Sequence, residues 1–137
     1  INWALENDLR LHPEVKLYLQ FGTVDVRDYC EEQGYLPAFE TFGAQLLQPA
    51  CGACANCGPG SSTHQEQVTV SAINRNFPGR SGPGQVWLAS PPTVVASAIA
   101  GYITSFGALQ TRHSAATSAA SKPGQRDPAD RRPALAH

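Results

Sequence analysis

Apolar and polar positions alternate at residues 15–21 (VKLYLQF), with Val15, Leu17, Leu19 and Phe21 on one side. Period two predicts a strand, which Gly22 ends. Before it, Trp3, Leu5 and Leu9 have a loose helical spacing over residues 1–11, and His12-Pro13 breaks that run. After it, Thr23 can cap a helix over 24–33, with Val26 and Cys30 on one face, Tyr29 beside them and Gly34 at C′. Residues 36–42 predict a second short helix, closed by Gly43, and 44–47 a short strand that delivers the chain to Pro49. Strand, helix and strand joined by short links predict an α/β fold with parallel strands.

The second half repeats the alternation. Residues 67–73 (QVTVSAI) predict a strand apolar enough to be buried, running straight into Asn74-Arg75-Asn76. SGPG at 81–84 predicts a turn and 86–89 (VWLA) a further strand. A helix follows over 94–103, opened by Ser90 as N-cap with Pro91 at N1, or by Thr93 one turn later. It is small and apolar nearly all round, which suits close packing in an interior or at a domain interface. After Leu109 the chain is rich in Ala, Ser, Pro and Arg and has no period. That composition predicts one folded unit over 1–109 and a disordered tail over 110–137.

At 137 residues the chain fits one modest domain. A net charge of −1 leaves no footprint for nucleic acid or an anionic membrane surface. No apolar run is long enough to span a bilayer. The first residues carry neither a signal nor a transit pattern, and the chain contains no Met, so the sequence is expected to begin partway through a longer protein. Of four cysteines, Cys51, Cys54 and Cys57 crowd into one short stretch, which argues against a disulfide framework and for reduced thiols in the cytoplasm.

The candidate chemistry sits between Pro49 and Arg80. Cys51 and Cys54 form a Cys-x-x-Cys in a glycine-rich loop, a spacing that suits a soft metal or an iron–sulfur cluster. The same pair can also be a redox dithiol or half of a zinc site. Cys57 extends the run; Ser61 stands where a ferredoxin pattern would place a fourth cysteine. Cys30, on a helix face, reads as core. Arg75 and Arg80 at the end of a buried strand are costly unless they meet an anion, and paired forks suit a carboxylate. Their alternative is a surface salt-bridge pair. His64 reads as solvated, Ser61, Ser62 and Thr63 as ordinary loop, and His12, His113 and His137 have no partner in view. A non-enzymatic electron carrier using the three clustered thiols and a zinc-binding interaction module are the competing function classes.

Three motifs then occur together: Cys51-Gly-Ala-Cys54; the run from Ser71 through Asn74-Arg75-Asn76-Phe77-Pro78-Gly79-Arg80; and Leu88-Ala-Ser-Pro91 leading into VVASAIAG. In order and spacing they resemble the aconitase superfamily, and within it the isopropylmalate dehydratase and homoaconitase branch, over roughly residues 11–109. The resemblance implies part of a three-layer α/β domain with a mostly parallel sheet and flanking helices. It implies a hydro-lyase that moves a hydroxyl between adjacent carbons of a small hydroxy acid, using a [4Fe–4S] cluster whose open iron is a Lewis acid. Cys51 and Cys54 resemble two of the three cluster ligands, Asn74 a residue hydrogen-bonded to the cluster, and Arg75 and Arg80 the arginines that grip the substrate carboxylate. The first cluster cysteine is not found here and is expected upstream of Ile1. The acid–base residues of the family are also missing, so no catalytic residue is assigned, and a small swivelling-domain subunit is the expected partner. The competing substrates are those of aconitase, homoaconitase and a dimethylmalate dehydratase.

Overall fold

The computed structural model describes residues 1–49 and 58–120. Among them the element order is α1 (Asn2–Glu6), β1 (Tyr18–Gln20), α2 (Val24–Glu32), α3 (Tyr35–Phe42), β2 (Gln45–Leu47), β3 (Val68–Ser71), β4 (Gln85–Leu88), α4 (Pro91–Ala100) and α5 (Phe106–Ala120). The strands form two parallel pairs, β1 with β2 and β3 with β4. The α/β class, with parallel strands flanked by helices, is therefore the one the sequence predicts.

Local chemistry explains the boundaries of the first pair. Thr23 is extended and its hydroxyl accepts the Val26 N–H at 3.2 Å, which caps α2; Asp25 adds a favourable charge in the first turn. Gly34 (φ 71°) and Gly43 (φ 99°) take the left-handed conformation that ends α2 and α3. The two helices form the crossover a parallel pair needs, and the Gln45 N–H then donates to the Leu17 carbonyl at 2.9 Å.

Burial departs from expectation in two places. Only three residues of the alternating run 15–21 are paired as a strand. Helix α2 buries no residue: Val26 is 48% exposed and Cys30 only half-buried, so Cys30 is not core. The reason is that, among the described residues, α3 is the only element packed on α2. Strand β3 is likewise shorter than 67–73 and not buried, with Val68 56% exposed. It carries α4 on one side and, among the described residues, has no further strand beyond β4.

The core lies where α1, α3, the first sheet and α4 meet. Ala4, Leu17, Phe42, Ala44 and Ala98 are buried there, with Trp3, Leu9, Phe39, Val95 and Ile99 among the side chains around them. Ser90 is the N-cap residue of α4 and Pro91 its first helical residue, so the earlier of the two predicted starts is the one used. The helix stops at Gly101 (φ 82°), before the expected 103. A Cβ on Gly101 would stand 2.6 Å from the His12 ring, and the His12 N–H donates to the Ala98 carbonyl at 3.0 Å. His12 thus does have a partner: it pins the end of α4.

The expectation of disorder from residue 110 is corrected for 110–120, which are helical. The Ser105 hydroxyl accepts the Ala108 N–H at 3.2 Å and caps α5, and the alanine-rich run that follows has high helix propensity. Leu109 is buried, and Trp3 meets the rings of Phe106 and His113 edge-on, at 5.2 and 5.7 Å between centroids. Those anchors come from α1, so local pattern alone could not reveal them. The rest of the expected tail, 121–137, lies outside the described residues. Among the described residues no helix is long and apolar enough to cross a membrane.

Candidate functional site

Parallel strands need a crossover of about a dozen residues, usually a helix. Between β3 and β4 that crossover is residues 72–84, and it contains no helix. It holds Asn74, Arg75 and Arg80. Its first bend is set by Ser71, whose hydroxyl accepts the Ile73 N–H at 3.1 Å. Its second is Phe77-Pro78-Gly79-Arg80, closed by the Arg80 N–H donating to the Phe77 carbonyl at 3.1 Å. Pro78 fits the fixed φ of the first central position, and Gly79 (φ 87°) supplies the positive φ of a type II turn.

This turn fixes where Arg80 starts. Its guanidinium lies 5.7 Å from the centroid of the Phe77 ring, within cation–π reach. Arg80 is half-buried, while Asn74 and Arg75 are exposed. The expected penalty for arginines on a buried strand therefore does not arise: β3 is half-open and Arg75 is solvated.

Cys51, Cys54 and Cys57 lie outside the described residues. The chain becomes described again at Gly58, and the segment leaving the thiol stretch is fastened to the arginine crossover. Ser62 is 6% exposed and Ser81 5%. The Ser62 N–H donates to the Ser81 carbonyl at 2.8 Å, and the Ser62 hydroxyl donates to the same carbonyl at 3.2 Å. The Gly84 N–H in turn donates to the Ser62 hydroxyl oxygen at 2.8 Å. Ser62 thus sits between both ends of SGPG. The glycines are what let it in: a Cβ on Gly82 (φ 105°) would overlap the Ser62 carbonyl and hydroxyl, and one on Gly84 would stand 2.5 Å from the Gln67 carbonyl. The turn over 81–84 is as predicted, but the serine reads from sequence as ordinary loop. Its only signal is a glycine on each side of Pro83, a pattern that asks what approaches so closely.

The segment from Thr63 to Gln67 is knotted locally. The Gln67 side-chain carbonyl accepts the Thr63 N–H and hydroxyl, and the Thr63 hydroxyl lies 2.9 Å from His64 Nδ1. His64 is exposed, as expected of a solvated loop residue.

Two buried side-chain oxygens have no hydrogen-bond partner among the described residues: Ser61 Oγ and Asn76 Oδ1. One belongs to the segment leaving the thiols and the other to the arginine crossover. A buried polar group without a partner is costly, so such groups mark places built for something else. A spare hydroxyl donor a few residues after three thiols fits a group with sulfur acceptors, as an iron–sulfur cluster has. Among the described residues no three His, Cys, Asp or Glu side chains gather to hold a metal ion.

Comparison with known proteins adds a separate line of argument. A model of the aconitase family (aconitate hydratase) matches residues 1–101. The chain is similar to the 3-isopropylmalate dehydratase large subunit of Caldanaerobacter subterraneus subsp. tengcongensis, 39% identical over 98 residues that cover 70% of this chain and 23% of that one. The large subunit of the same name from Desulfosudis oleivorans is 41% identical over 96 residues, covering 69% and 22%. Mitochondrial homoaconitase of Gibberella zeae is 38% identical over 110 residues, covering 78% and 14%. The chain therefore spans less than a quarter of the length of these curated relatives.

Proposed function

The chain belongs to the aconitase family, and on that premise we propose that it is the cluster-loop part of a 3-isopropylmalate dehydratase large subunit. The whole enzyme would interconvert 2- and 3-isopropylmalate by dehydration and rehydration, in leucine biosynthesis in the cytoplasm. Cys51 and Cys54 would hold a [4Fe–4S] cluster, with the third thiolate supplied by the rest of the large subunit. When bound, the cluster supplies Lewis acidity toward the substrate's hydroxyl and carboxylate.

The remaining roles belong to side chains of the crossover. Arg75 and Arg80 grip a substrate carboxylate: a guanidinium presents two parallel N–H donors and fixes the plane of the carboxylate as well as its position. The Phe77 ring beside Arg80 steadies that guanidinium and shields one of its faces from water. Asn74 follows the β3 strand end and offers an amide donor to a cluster sulfur. Proton transfer is assigned to the rest of the large subunit and to a small swivelling-domain subunit, so the 137-residue chain alone is expected to be inactive.

The observation that carries this reading is the fastening of Ser62 to Ser81 and Gly84. It joins the segment leaving the thiols to the turn that bears Arg80, as a site with both sulfur ligands and a carboxylate grip requires. The test is anaerobic reconstitution of the large and small subunits with iron and sulfide. Ultraviolet absorbance of the unsaturated intermediate should appear with 2-isopropylmalate, and Cys51→Ser or Cys54→Ser should abolish it together with bound iron. Full turnover by a variant lacking both thiols would refute the assignment.

A further inference from the structure

We propose that Ser62 is a positioning residue for substrate binding, the post that keeps the segment leaving the thiol loop and the Arg80 turn at one fixed separation. For its kinetic consequence the proposal rests on the function proposed above; for its structural part it does not.

Ser62 is a buried polar residue whose hydroxyl both donates and accepts. It donates to the Ser81 carbonyl and accepts the Gly84 N–H, so one oxygen ties both ends of the SGPG turn. No apolar side chain can replace it without leaving the buried Gly84 N–H unpaired. The backbone adds a third tie, from the Ser62 N–H to the Ser81 carbonyl, and a side-chain substitution leaves this one in place. Loss of the hydroxyl therefore frees the Gly84 end of the turn and leaves the Ser81 carbonyl, next to Arg80, on one of its two bonds.

The tie matters because the crossover is not held by apolar burial among the described residues. Its buried residues are Ser81, Gly82 and Gly84, and no large apolar side chain of the crossover is buried. Arg80 directly precedes Ser81, so its backbone is set by the Pro78-Gly79 turn on one side and by Ser62 on the other. An arginine that grips a carboxylate in both ground and transition state contributes uniform binding. Misplacing it raises KM more than it lowers kcat.

The test compares Ser62→Ala and Ser62→Thr with wild type in the full-length protein. Backbone amide exchange is read at Gly84 and at Gln45, whose N–H bonds Leu17 in the first sheet. Ser62→Ala should speed exchange at Gly84 by about tenfold or more, the equivalent of one lost hydrogen bond. Gln45 should be unchanged, and Ser62→Thr, which keeps the hydroxyl, should stay near wild type at both. In the two-subunit enzyme, Ser62→Ala should raise the hydroxy-acid KM about tenfold while kcat stays within about twofold. Unchanged exchange at Gly84, equal acceleration at Gln45, or a fall in kcat with KM unchanged would each overturn the proposal. If wild-type enzyme turns over no hydroxy acid, it is the function that fails, and the exchange measurement still decides what Ser62 does.

Discussion

The two parallel strand pairs of this chain are held together by different forces. The β1–β2 pair is linked by helices and stands on a hydrophobic core that includes Leu17, Phe42 and Ala44. The β3–β4 pair is linked by irregular chain, and what it buries around its crossover is Ser62, Ser81 and two glycines. Val68, Phe77, Trp87 and Leu88 remain exposed there. Apolar burial is non-directional and tolerates small shifts, whereas hydrogen bonds around one hydroxyl fix geometry to tenths of an ångström. The difference teaches how the fold divides its tasks: one pair supplies stability, the other holds the side chains proposed for the site in place without burying them in a core.

The contrast breaks most readily at the core. Phe42→Ala should cost about 3–5 kcal/mol of unfolding free energy, read by urea denaturation. That should exceed the loss from any single substitution in residues 72–84; a smaller loss than that of Gly82→Ala would reverse the comparison. Gly82→Ala comes next, at about 1–3 kcal/mol from overpacking against Ser62, with a further cost for a side chain at φ 105°. Because Gly82 adjoins Ser81, this change should also weaken substrate binding, which Phe42→Ala should affect only through global unfolding. Thr23→Ala should cost about 1 kcal/mol, the value of one helix cap. Since α2 buries no residue, the change should leave substrate binding untouched. Binding lost in Thr23→Ala would show that the two strand pairs are coupled more tightly than their packing indicates.

The same division explains what could be read from sequence. Caps and turns are local chemistry, so Thr23, Gly34, Gly43, Ser90-Pro91 and the SGPG turn were legible. Burial is not local. The period of 67–73 is correct for a strand, yet nothing in it says that, among the described residues, only α4 covers β3. Helix α5 is not legible in the local pattern because its anchors, Trp3 with Phe106 and His113, are about a hundred residues apart in the chain. The contact of His12 with Gly101 is non-local for the same reason. At the site, Arg75 and Arg80 stood out through a motif, while Ser62 did not, because its meaning depends on two glycines that admit it.

The most direct test of the central claim is the affinity of 2-isopropylmalate for the anaerobically reconstituted two-subunit enzyme, wild type against Arg80→Ala, with iron and sulfide counted in both. The account predicts equal cluster content and an affinity weakened by about 1.5–3 kcal/mol, the worth of a hydrogen bond to a charged group. Unchanged affinity at full cluster content would contradict it, because the turn that Ser62 secures would then carry no part of the substrate grip.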